Sequence, residues 1–129
     1  MGKLEQVNCT DIAAAIRLGC RTMQNVFNDD DNQVPFFSSV LRPETVLNFC
    51  SVHSEAHVPG RHLNALLSAE AAAGVELDED AVGNQRRAAF FSYSGPAALP
   101  LNRQTISGPL VNFCPHNLRE GFHALYALA

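Results

Sequence analysis

Hydrophobic positions along the chain recur mostly at intervals of three and four. Ile12, Ala15, Ile16, Gly19, Met23, Val26 and Phe27 predict an amphipathic helix. Asn8 and Thr10 are candidate caps, with Asp11 in the first turn and Arg17, Arg21 and Gln24 on a solvated face. The turn-forming run from Asn28 to Asn32 and then Pro35 stop it. Residues 36–41 form a short apolar run that suits a strand or an extended segment. Pro43 and Glu44 predict a helix start, with Val46, Leu47, Phe49 and Cys50 on its apolar side.

Three more helices follow. After a turn at Val58-Pro59-Gly60, Arg61 opens a helix carrying Leu63, Leu66, Leu67 and Ala71, which Gly74 stops. An acidic turn at residues 76–80 leads into a helix through Ala81, Val82, Gln85, Ala88 and Ala89, weakened by Gly83. A long connection rich in Pro, Gly, Ser and Asn runs to Pro115, and a connection of that kind is usually functional or mobile. In the closing helix Asn117 and Glu120 have capping-box spacing. Leu118, Phe122, Leu125, Tyr126 and Ala129 share one side, predicted to face a core, and His116, Arg119, Glu120 and His123 share the other. The last turn is apolar and lacks a stop signal, as expected of a truncated chain or of a helix that docks on a partner.

These elements predict an all-α fold with long irregular loops and antiparallel helical hairpins, spanning residues 1–129 as a single helical domain or part of one. Composition narrows the function classes. With 47% hydrophobic residues, a net charge of -4 and scattered Lys and Arg, the chain does not suit a nucleic-acid backbone. It has no membrane-spanning run or basic leader, so a cytoplasmic location is expected. Cys9, Cys20, Cys50 and Cys114 form no C-x-x-C pair and are expected to be buried free thiols.

Side chains with chemistry gather in three places. His53, Glu55 and His57 alternate, and in an extended segment they would point the same way and suit a divalent metal. The run Asp29-Asp30-Asp31 invites a calcium reading but lacks the EF-hand alternation, Gly and distal Glu. His57 and Arg61 lie at a helix start, where backbone N–H groups attract anions or polar ligand groups. Tyr93, Asn102 and Arg103 in the long connection, with His116, Arg119 and His123 beyond it, can hydrogen-bond a hydroxyl-rich ligand. No cofactor and no resident metal is expected.

The alternation of helices and long loops, His57-Val58-Pro59-Gly60-Arg61 before a Leu/Ala-rich helix, and Pro115-His116-Asn117-Leu118-Arg119-Glu120-Gly121 opening another resemble the N-terminal part of a helical toroid of the six-hairpin glycosidase or related α/α-barrel type. That resemblance implies a carbohydrate site in a loop-lined funnel, with Asp or Glu as acid and base. Glu55 and Glu120 are the expected catalytic pair, whose separation would set the stereochemical outcome, and His57, Arg61, Tyr93, Asn102, Arg103, His116, Arg119 and His123 are the expected substrate-binding residues. Two other readings compete: a noncatalytic helical module that binds a partner chain or a second copy, and a metal-dependent hydrolase using His53, His57, His116 or His123.

Overall fold

The computed structural model describes residues 11–40, 43 and 46–129, so the candidate caps Asn8 and Thr10 lie outside it. Among the described residues four α-helices are present: α1 (Ile12–Met23), α2 (His57–Ala73), α3 (Glu79–Phe91) and α4 (Pro115–Leu128). Six short strands pair antiparallel in twos: β1 (Phe27–Asn28) with β2 (Val34–Pro35), β3 (Ser38–Val40) with β4 (Val46–Asn48), and β5 (Leu101–Arg103) with β6 (Leu110–Phe113). The fold is therefore mixed α and β, and the all-α architecture of helical hairpins is corrected. Where Pro43 suggested a helix, residues 46–48 form β4, and the long connection contains the β5–β6 hairpin. Strands this short have too few positions to display a period of two.

Local signals set the helix ends. Asp11 caps α1 by accepting from the Ala14 N–H at 3.0 Å, and Asp78 caps α3 through the Ala81 N–H at 3.0 Å. Helix α2 begins at His57, four residues before the predicted start. Pro59 and Gly60 belong to its first turns, where a proline removes no intrahelical hydrogen bond. Gly74 ends α2 in the left-handed conformation, with its N–H on the Glu70 carbonyl.

Helix α2 lies at the centre. Leu66 and Ala69 pack with Cys20 of α1, supported by Met23, Val75 and Leu77. Leu63, on another side of α2, meets Ala89 of α3 and Ala124 of α4. Two glycines allow close approaches to α4: a Cβ on Gly60 of α2 would lie 2.5 Å from the Glu120 carbonyl oxygen, and one on Gly121 would lie 2.0 Å from the hydroxyl of Tyr93, just beyond α3.

That approach rotates α4 away from the predicted orientation. Asn117, Glu120, Gly121 and Ala124 form its buried stripe, while Phe122 is 69% exposed and Tyr126 80%. The side predicted to need a core faces outward. Gly60 and Ala124 allow the close crossing of α2 and α4, Gly121 makes room for Tyr93, and paired arginines make a buried Glu120 tolerable. The capping box is also absent: Cys114 is the N-cap, Pro115 the first residue, Asn117 is turned inward, and Glu120 reaches the arginines instead.

A second buried polar contact joins the helices. Gln85 Nε2 donates to the Met23 carbonyl at 2.9 Å and sits 3.1 Å from His62 Nδ1. The amide therefore donates to an unprotonated Nδ1, and a proton there would face the NH2 group. Burial lowers the His62 pKa from 6.5 to about 4.

Two predictions follow from this packing. Gly60→Ala is expected to destabilise the fold by about 1–3 kcal/mol through overpacking. In the same urea titrations Gly19→Ala, which meets no atom within 4 Å, should stabilise it by about 0.5–1 kcal/mol. A neutral or stabilising Gly60→Ala would contradict the α2–α4 crossing. For His62, the unfolded chain takes up a proton near pH 6.5 that the folded chain refuses until about pH 4. Stability should thus be fully present above pH 6.5 and fall toward pH 4, by up to about 3 kcal/mol. Denaturation midpoints measured across that window should flatten in His62→Gln, and an unchanged slope would show that His62 is not the group responsible.

Candidate functional site

The site forms where α2 and α4 begin. Arg61, one turn into α2, clasps Glu120 with Nε on Oε2 at 2.8 Å and Nη2 on Oε1 at 2.9 Å. Arg119 donates to the same Oε1 from Nε at 2.8 Å and Nη2 at 2.6 Å. The carboxylate is fully buried, whereas each guanidinium side chain is 53% exposed. Burial alone would push the Glu120 pKa up, but the bonds from Arg61 and Arg119 outweigh it and hold the group below its ordinary value. Two guanidiniums against one carboxylate leave a positive charge facing solvent.

Three imidazoles line up beside this pair. The His53 ring stacks on Phe37 with centroids 4.3 Å apart, meets the His57 ring edge-on at 4.7 Å, and His57 lies 6.4 Å from His116. Burial is the largest influence on His57 and lowers its pKa; Glu120 opposes this, while Arg61, His53 and Arg119 add to the lowering. His57 is thus neutral at pH 7, and its Nδ1 is buried with no hydrogen-bond partner among the described residues.

The segment leading to His57 is a series of turns, not the extended form in which His53, Glu55 and His57 would point the same way. Both His53 and Ser54 donate backbone N–H groups to the Cys50 carbonyl, and the Ser54 hydroxyl accepts from the Cys50 N–H at 2.8 Å. His57 N–H then reaches the Glu55 carbonyl at 2.6 Å, with Ala56 between them at φ 57° and ψ -53°. This is a γ-turn of the strained kind on a residue with a Cβ, which persists only where its surroundings enforce it. The turn sends Glu55 and His57 in different directions.

Glu55 is what enforces it. Its carboxylate, fully buried, accepts from the Arg103 backbone N–H at 2.9 Å and from Arg103 Nε. Arg103 continues as a fork onto Asp31, with both bonds at 2.8 Å, and reaches the Ile106 carbonyl. Burial raises the Glu55 pKa above its ordinary value despite the opposing bonds and charge of Arg103. Asn102 Nδ2 holds the Val52 carbonyl at 2.8 Å and receives Asn117 Nδ2 on its own Oδ1 at 2.8 Å. The β5–β6 hairpin thereby grips the turn and the start of α4 together.

The structure thus brings His57, Arg61, His116, Arg119 and Glu120 to one junction, and His123 joins Arg61, Asn64 and Ala65 around a shallow hollow beside it. Glu55 and Glu120 belong to different ion-pair groups, and neither exposes an oxygen to solvent. In this structure both carboxylates are taken up by arginines. Asn102 and Arg103, expected at a ligand, are buried structural groups. Tyr93 donates to the Asn117 carbonyl at 3.3 Å and lines an apolar groove of about 320 Å³ with Phe90, Leu118, Phe122 and Leu125. Among the described residues, no three His, Cys, Asp or Glu are grouped to hold a metal ion. Sequence reasoning passed over the contact of Cys50 with His53, whose separation of three residues has no distinctive meaning outside a helix. Among the described residues Cys50 and Cys114 are half-buried and Cys20 is fully buried, which corrects the expectation of uniformly buried thiols; Cys9 lies outside the described residues.

No family model matches the chain, and comparison with curated proteins and with solved structures likewise yields no match.

Proposed function

We propose that the chain is a carbohydrate-active domain whose α2–α4 junction binds an acidic, hydroxyl-rich sugar. The observation that carries this reading is the shared clasp of Arg61 and Arg119 on one buried carboxylate, which leaves a net positive charge and unused guanidinium N–H groups at the surface. A guanidinium fork matches a sugar carboxylate in shape and charge. His57, His116 and His123 add imidazole nitrogens for hydroxyl groups, and the half-exposed Phe37 ring adds an apolar face for stacking. Glu120 positions the two arginines in this reading, and Glu55 secures the turn that carries His57.

A second reading rests on a different observation. Phe122, Leu125 and Tyr126 expose an apolar face on α4, of the kind that marks interaction sites. In this reading the chain is a noncatalytic module that associates with a second copy through α4.

Titration of the chain with trigalacturonic acid, followed by NMR, distinguishes the two. The proposal expects shifts centred on Arg61, His57, His116 and His123, with a neutral glucose trisaccharide binding more weakly. Arg119→Ala leaves Arg61 on Glu120 and should weaken the acidic sugar about tenfold or more, the effect of losing a charge-assisted hydrogen bond. Absence of shifts at millimolar sugar would sink the carbohydrate reading, and a dimer by sedimentation that Tyr126→Glu dissolves would move the function to the second.

A further inference from the structure

Cys50 is not an isolated thiol. Its Sγ lies 3.2 Å from His53 Nδ1, within hydrogen-bond reach for sulfur. Phe37 on one face and His57 at the edge restrict the His53 ring, and the paired N–H bonds onto the Cys50 carbonyl fix the backbone between the two residues. Asn102 and Asn112 hold the same turn from outside through the Val52 and Ser51 carbonyls. Cys50 is half-buried and free, and Phe37, stacked on the His53 ring, is exposed. A thiol in this setting has a base in contact on a residue that is not fully buried. The buried, unpartnered His57 Nδ1 lies on the adjoining ring. Nothing in the carbohydrate reading uses this pair.

We propose that Cys50 and His53 form a reactive thiol–imidazole pair that is modified by low-molecular-weight disulfides. The Cys50 proton passes from Sγ to His53 Nδ1 as sulfur attacks one atom of the incoming S–S bond. That bond breaks, a Cys50–S–S–R bond forms, and the other half departs as a thiolate that takes the proton back from His53. One thiol and one disulfide enter, and one of each leaves. Reversal by excess small thiol restores Cys50, so the modification tracks the ratio of disulfide to thiol around the protein.

The test uses the reduced, full chain and oxidised glutathione, with mass-spectrometric peptide mapping over time. Cys114 is the internal reference, because it is also half-buried and free and its thiol hydrogen-bonds to no imidazole among the described residues. Cys50 is expected to be modified at least about tenfold faster than Cys114, within the range a positioned base contributes. His53→Gln should bring Cys50 to within about threefold of Cys114, and in urea the two cysteines of the unmutated chain should react at nearly equal rates. The inference is overturned if folded Cys50 reacts no faster than Cys114. It is equally overturned if a folded His53→Gln chain keeps the full rate, or if the advantage persists in urea. Because the first and last comparisons need no substitution, a failure of His53→Gln to fold does not remove the test.

Discussion

The Glu120 carboxylate sits out of water where α2 crosses α4, and much of the structure follows from how its charge is met. A lone carboxylate at that place would cost several kcal/mol in desolvation, and loss of one partner from a buried pair commonly costs about 3–5 kcal/mol. Two arginines from different helices supply four bonds to it. Because Arg61 and Arg119 remain half-exposed, the net contribution falls below the buried-pair figure. Its greater effect is on orientation: with Glu120 and Ala124 directed at α2 and Gly121 at Tyr93, the large apolar side chains Phe122 and Tyr126 point outward.

Arg103 plays the corresponding part on the other side of the turn. It satisfies Glu55 and Asp31, lies over the Phe49 and Phe91 rings at 5.3 and 5.2 Å, and ties β5 to the start of α2. Arg103 thereby supplies the constraint that a positive-φ Ala56 requires. The strained turn is the hinge between two functions of one segment, with Glu55 serving the interior and His53 and His57 serving the junction. The polar junction and the Cys50–His53 pair both depend on this support, although their own contacts are local.

Legibility in the sequence followed the range of the interaction. Helices α1 and α3 were readable because periodicity and an acidic residue at the start are local signals, although Asp11 proves to be the cap of α1 and the helix ends at Met23, leaving Phe27 to β1; Gly74 marked the end of α2 because a left-handed stop needs little else. The residues of the junction were also readable, since His57, Arg61, His116 and Arg119 stand at helix starts. Their partners were not. The clasp on Glu120 spans 59 residues, and the fork from Arg103 to Asp31 spans 72. The rotation of α4 escaped detection because hydropathy assigned Phe122 and Tyr126 inward, while a close backbone approach at Gly60 and the seating of the Tyr93 ring on Gly121 decided the matter. The strands at 46–48 and 101–113 were missed for want of length, and Pro43 pointed to a helix where the chain instead returns to pair with β3.

Orientation of α4 is the claim on which the rest stands, and hydroxyl-radical footprinting of the monomer read by mass spectrometry tests it directly. Phe122 and Tyr126, at 69% and 80% exposure, are expected to be oxidised rapidly, and Leu63, fully buried against α4, should be protected. Protection of Phe122 and Tyr126 in a demonstrated monomer would contradict the account, since it would place in the core the face that the Glu120 clasp directs outward.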